Sequence, residues 1–280
     1  MAKENIPFVV IEAKKWRFFD LKELYRYKDL FYFFVLRDVT VLYKQTVLGL
    51  AWAIMNPVFS MVVFSFIFGG LAKIPSDGIP YPIFLYCAVL PWTYFSQSLG
   101  GATSSLIGSA NIFTKVYFPR IIIPFTPIIS KLFDFFIAFI ILIVLMLFYN
   151  IYPGIDIIFL PFLILLMILN ASGIGMWLSS LSIQYRDVRF AFNPLISLLM
   201  YAAPVVFPAS LVKEKFGDFI YLLYGIYPMV GVIEGFRASL LGRLPMPWDL
   251  IGIGTISSII VFALGAIHFR KTEKIFADVA

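Results

Sequence analysis

Long apolar stretches alternate with short polar ones along this chain. Residues 45–72, 78–114 and 157–185 carry no Asp, Glu, Lys or Arg. Further greasy runs occupy 121–149, 190–212 and 250–269, the first of these holding only Lys131 and Asp134. A helix needs about 20 residues to cross a hydrocarbon core of roughly 30 Å. The pattern therefore predicts six spans: one within 45–72, a second starting near Ile83, then 121–149, part of 157–185, 190–212 and 250–269.

The interruptions are as informative as the runs. Asn56-Pro57 predicts a kink or an unwound turn in the first span, because proline removes a backbone donor. Pro194, Pro204 and Pro208 predict a broken fifth span. The second half of the second span turns small and hydroxylated, with Ser96, Ser98, Gly100, Gly101, Thr103 and Ser104, and Gly173 and Gly175 punctuate the fourth. Such residues suit close helix packing or a wet cavity. Phe219–Ile233 is too short to cross and contains Gly225, Pro228 and Gly231, which fits a re-entrant helical hairpin within 213–248.

Two polar regions stand out, one before the membrane domain of residues 45–280 and one within it. Residues 1–44 hold nine Lys/Arg and six Asp/Glu among many aromatics. They read as one or two amphipathic interface helices, with Asp20 and Glu23 as N-cap and capping-box partner. Phe18, Leu21, Leu24 and Tyr25 sort against Lys22, Glu23 and Arg26. Ser109–Pro124 links the second and third spans and carries Lys115 and Arg120, no acid, and Phe113, Tyr117 and Phe118. Asn111 and Thr114 are candidate caps of a one- or two-turn helix ending before Pro119. The residue types suit protein docking, and equally an amphipathic turn lying on headgroups.

Composition removes the soluble alternative: 280 residues, 61% hydrophobic and 14% charged, cannot hide their apolar surface in one soluble domain. The net charge of +6 reports topology rather than nucleic acid. With both termini cytoplasmic, sixteen Lys/Arg fall on the inner side and five (Lys73, Lys213, Lys215, Arg237 and Arg243) on the outer, Lys131 standing apart. No cleavable signal peptide is evident, so the first span is expected to act as its own insertion signal. The single cysteine, Cys87, excludes an intrachain disulfide.

Candidate chemistry is sparse. There is no GxxxxGK[ST] phosphate loop, hence no ATP site of that type. One histidine (His268) and one cysteine leave no material for a His/Cys metal centre or a Cys–His nucleophile. Lys131 and Asp134 form either an interfacial pair or a functional charge in a pathway.

Four stretches carry a family resemblance: Arg37–Pro57 (RDVTVLYKQTVLGLAWAIMNP), Lys115–Pro124 (KVYFPRIIIP), Tyr185–Phe190 (YRDVRF), and Tyr227-Pro-Met with Gly235-Phe-Arg237. In this order they resemble ABC-2-type exporter permeases of the polysaccharide class, which includes O-antigen and teichoic-acid exporters. The resemblance implies an all-α homodimer of six-helix subunits in the bacterial inner membrane, with two copies of a separate ATPase on the cytoplasmic face. ATP and Mg would be bound by that ATPase, leaving this chain without cofactor or catalytic residue. It implies a coupling helix at Asn111–Arg120, with Asn111, Phe113, Thr114, Lys115, Val116, Tyr117, Phe118 and Arg120 facing the ATPase and the N-terminal helix beside them. It also implies outer gate helices within Lys213–Leu244, bearing Tyr224, Tyr227, Pro228, Glu234 and Arg237.

The substrate would be a lipid-linked polysaccharide crossing at the dimer interface, with any glycan-reading module on the partner. Trp52, Asn56 and Phe59 share a face of the first span, and Phe192 and Tyr201 flank Pro194; their aromatics are candidate channel residues, since sugar rings stack on aromatics, although membrane cores use the same residues. The alternatives are an ABC-2 permease for a small amphiphile or drug, and an ion-coupled secondary transporter using Lys131 and Asp134. A membrane glycan-processing enzyme is disfavoured by the absence of clustered carboxylates and metal ligands.

Overall fold

The computed structural model describes residues 21–44, 49, 51–113 and 115–276, and they form eleven α-helices with no strand among them. The expected caps Asp20 and Thr114 lie outside the described residues. Helices α1 (Leu21–Arg26) and α2 (Lys28–Lys44) realise the amphipathic N-terminal region. Leu24, Tyr27, Leu30, Phe31 and Phe34, three or four apart, pack inward. Tyr25 does not join them: it is exposed, with the Lys28 ammonium 4.5 Å above its ring.

Helix α3 (Ala51–Phe64) runs through Pro57, which is buried, and the departure from α geometry comes later, in a π turn at Ser65–Leu71. There Ala72 N–H reaches back five residues to Ile67 O at 2.9 Å. A side chain at Gly69 would collide with the Tyr81 ring, so the wide turn lets the chain pass close to the start of the next helix.

Helix α4 (Tyr81–Gly108) is the centre of the fold, buried along most of its length and packed by α3, α6 (Ile122–Phe148), α7 (Leu160–Gln184) and α8 (Asp187–Ala202). Tyr86 donates to Ala138 O at 2.9 Å and Tyr94 to Ile128 O at 3.0 Å, fastening α4 to α6 at two levels. Gly101 of α4 serves packing, since a Cβ there would strike Pro127, and the buried Thr103 donates to Leu99 O one turn back, whereas Ser104 is exposed. Between α4 and α6 only one turn of helix forms, α5 (Ala110–Phe113). Asn111 lies inside that turn rather than capping it, because α4 runs on to Gly108 and leaves only Ser109 as the break.

The helix at the expected fifth span is shorter than its apolar run. Helix α8 ends at Ala202, not near residue 212, since Pro204 and Pro208 prevent continuation. After the turn at 203–208 come α9 (Ala209–Tyr224) and α10 (Pro228–Leu241), which meet at a bend of 113°. All of α10 is buried against α4, α7 and the last helix, α11 (Trp248–Thr272), whereas α9 is largely exposed. Helices α7 and α11 cross where Gly173 and Gly265 face each other, so close that a Cβ on either would meet backbone.

Among the described residues four stretches are long and apolar enough to cross a membrane, at 51–71, 122–148, 155–184 and 248–272, and the bent pair α9/α10 makes a fifth if taken as one. The connector between α4 and α6, α2 and the end of α11 gather at one end of the bundle around a small core of their own, built on Phe118, Ile122, Phe269 and Phe276. The main core fills the rest.

Candidate functional site

At the connector end, residues 115–121 form an irregular strap whose side chains divide between two directions. Lys115, Val116 and Tyr117 are exposed, Tyr117 by 79%. Phe118 is 3% exposed and packs edge-on to Phe34 of α2 with ring centroids 5.8 Å apart. Phe118 is therefore an internal anchor and not a docking residue, a correction to the reading of the three aromatics as one surface. The Phe113 side chain and Thr114 lie outside what is described. Arg120 is half-buried and donates to the backbone carbonyl of Glu273, in the turn that follows α11. The Tyr117 hydroxyl donates to Glu23 of α1 at 3.4 Å. Partial burial and then the Glu23 carboxylate hold that phenol above its ordinary pKa, so it stays a donor. A small cleft lined by Glu23, Tyr117, Pro119, Arg270 and Glu273 lies among these groups.

At the opposite end, four of the five gate candidates converge on the break between α8 and α9. Tyr224 donates to Ala202 O at 2.7 Å and Tyr227 to Leu199 O at 3.5 Å, both carbonyls of the last turn of α8, the second of which also accepts the Ala203 N–H at 3.0 Å. Arg237 has no exposed surface. Its guanidinium meets Glu234 at 2.7 Å, Val205 O at 2.7 Å, Phe207 O at 3.3 Å and Phe84 O at 3.4 Å, and lies over the Phe84 ring at 3.6 Å. Glu234 in turn accepts from Ala209 N–H at 3.0 Å and caps α9 from another helix. The unwound turn is thus pinned by a buried ion pair. Pro228 opens α10, where its missing donor costs nothing. Arg237, counted from sequence among outer flanking cations, is an interior group. Sequence reading missed Tyr81, which donates to Val206 O at 2.6 Å, and Phe84; nothing local distinguishes them from other aromatics at a span's start.

The channel candidates do not share one fate. Trp52, Asn56 and Phe59 line an exposed face of α3, and Tyr201 is exposed near the end of α8. Phe192 instead packs on the core with Ile196 and Met200, its ring 3.2 Å from where a Gly100 Cβ would stand. It seals α8 against α4 and lines no open face. Lys131 and Asp134 pair at 2.7 Å, their side chains 18% and 17% exposed, in a cleft with Pro57, Thr93 and Gln97. Among the described residues no three of His, Cys, Asp and Glu come together as metal ligands.

Comparison with known proteins matches residues 29–241 to the ABC-2 type transporter family model. The chain is 26% identical over 260 residues to the O-antigen export system permease protein RfbA of Myxococcus xanthus, covering 92% of this chain and 98% of that one. It is also 26% identical over 244 residues to the protein of the same name from Klebsiella pneumoniae, covering 87% of this chain and 92% of the relative. The matched segment takes in α2 to α10, with both the connector and the buried Glu234–Arg237 pair, and the chain belongs to the ABC-2 type transporter family.

Proposed function

We propose that this chain is the membrane permease subunit of an ABC exporter that moves a lipid-linked, O-antigen-like polysaccharide outward, driven by a separate ATPase. The observation that carries the substrate class is similarity along nearly the whole length to permeases named for O-antigen export. Six spans accommodate the helices: α3 with its π turn, α4, α6, α7, α8 and α11. Helix α4 needs less hydropathy than the others because protein, not lipid, surrounds it. The connector end faces the cytoplasm, with both termini. With Arg237 removed from the outer tally, the inner side carries sixteen cations against four.

Val116, Tyr117 and Lys115 are the connector's outward face and dock the ATPase, two copies of which serve a homodimer. ATP and Mg belong to that partner. The exposed faces of α3 and α8, bearing Trp52, Phe59 and Tyr201, line the path, and α9 and α10 gate its outer end. Val116→Ala with Tyr117→Ala removes an anchor of the kind whose truncation costs about 2 kcal/mol or more. At matched membrane levels it should weaken co-purification with the ATPase and stop glycan export from proteoliposomes. Lys115→Glu should slow association in a salt-dependent way. Normal association and export in the double variant would remove the docking assignment.

A further inference from the structure

We infer that Arg120 is a positioning residue that joins the connector to the end of α11, so that the last span receives the ATPase stroke together with α4 and α6. The inference rests on the reading of the connector as the ATPase-facing loop. Covalently the connector touches only α4 and α6, and a displacement applied to it would reach those two helices first.

Three nearby side chains extend that reach. Tyr117 holds α1 through Glu23, Phe118 holds α2 through Phe34, and Arg120 holds the turn after α11 through the Glu273 carbonyl. The last contact has a sound physical basis. Glu273 O already accepts from Phe276 N–H, closing the 3-10 turn, and its second lone pair faces the guanidinium. A cation there also answers the negative end of the α11 dipole. Arg270 pairs with the Glu273 carboxylate at 3.1 Å, which keeps the turn wound. Beneath these polar contacts, Phe118, Ile121, Phe269 and Phe276 share one packed cluster. Close-packed clusters move as bodies rather than deform. The strap, α2 and the end of α11 are therefore one rigid junction, and Arg120 is its polar tie to the last span.

The test uses the complex with its ATPase in proteoliposomes loaded with lipid-linked glycan. Spin labels on cysteines at the exposed positions Leu36, on α2, and Lys274 report the junction, the buried Cys87 being left in place. In the otherwise unaltered permease the distance between labels should be the same without nucleotide and with ATP trapped. Arg120→Ala should broaden that distance and keep ATPase association. It should lower glycan exported per ATP hydrolysed about tenfold, the factor for one lost charge-assisted hydrogen bond. Arg120→Lys should restore part of the ratio, and Glu273→Ala should keep most of it, since the acceptor is backbone. A label distance that changes with nucleotide would overturn the rigid junction, as would unaltered export per ATP in Arg120→Ala. Loss of association in Arg120→Ala would place the residue in the docking surface instead. The docking assignment stands or falls separately, on the Val116/Tyr117 variant.

Discussion

Two helices of this protein carry a cation and a carboxylate three residues apart, each pair closed at 2.7 Å, and the two pairs do different work. Lys131 and Asp134 on α6 border a cleft and keep some contact with its surroundings. Glu234 and Arg237 on α10 are sunk in the bundle, and the guanidinium spends most of its donors on carbonyls of other segments. The first pair solves a problem created by its own charges. The second solves one created by proline, since the turn between α8 and α9 has carbonyls that no helix can satisfy. The lesson is that spacing and distance do not rank an ion pair; what else the donors hold does.

The largest test of that contrast is Arg237→Ala. It strands a buried carboxylate and frees the carbonyls of Val205, Phe207 and Phe84, so a loss of about 3–5 kcal/mol is expected. Thermal unfolding in detergent and abundance in the membrane should both fall sharply. Near-normal stability would show that the turn holds itself. A pair-removal comparison comes next. Arg237→Met with Glu234→Leu should remain destabilised by about 2 kcal/mol or more, because the carbonyls still lack donors. Lys131→Met with Asp134→Leu should sit closer to the parent than either single change, each single costing about 1–2 kcal/mol after allowance for solvent screening. Equal outcomes for the two double variants would erase the distinction. Tyr81→Phe removes one hydrogen bond to the same turn and should cost about 1 kcal/mol. Smallest of all, Ser210→Ala removes an exposed contact to Asp77 and should stay within about 0.5 kcal/mol. A larger loss there would mean that the clamp extends to the surface.

The sequence displays the greasy helices because absence of charge over a span's length is a signal that needs no partner. Gly173 was readable as a packing position for the same reason. The end of α8 was not, since three prolines fit several breaks and only the fold shows that Pro194 is kept within the helix while Pro204 and Pro208 stop it. Pro57 shows the same ambiguity from the other side, sitting inside an unbroken helix. Phe118 and Tyr117 are neighbours in a strap without periodicity, so nothing local says which one turns inward. Arg237 reads as a flanking cation because its backbone acceptors, residues 30 to 153 positions away, leave no mark beside it.

The crossing of α7 and α11 bears on how the protein is made. Helix α7 enters the membrane four helices earlier than α11, and until α11 arrives its strip at Gly173 has no neighbour on that side. Bare backbone shielded by no side chain is a poor surface to show to lipid, and α10 waits for α11 as a cover too. Insertion of the last span is thus the step that closes the subunit. Chains stalled before it would carry a recognisable defect for membrane proteases, and any change that delays α11 would lower the yield of finished permease without touching its transport chemistry.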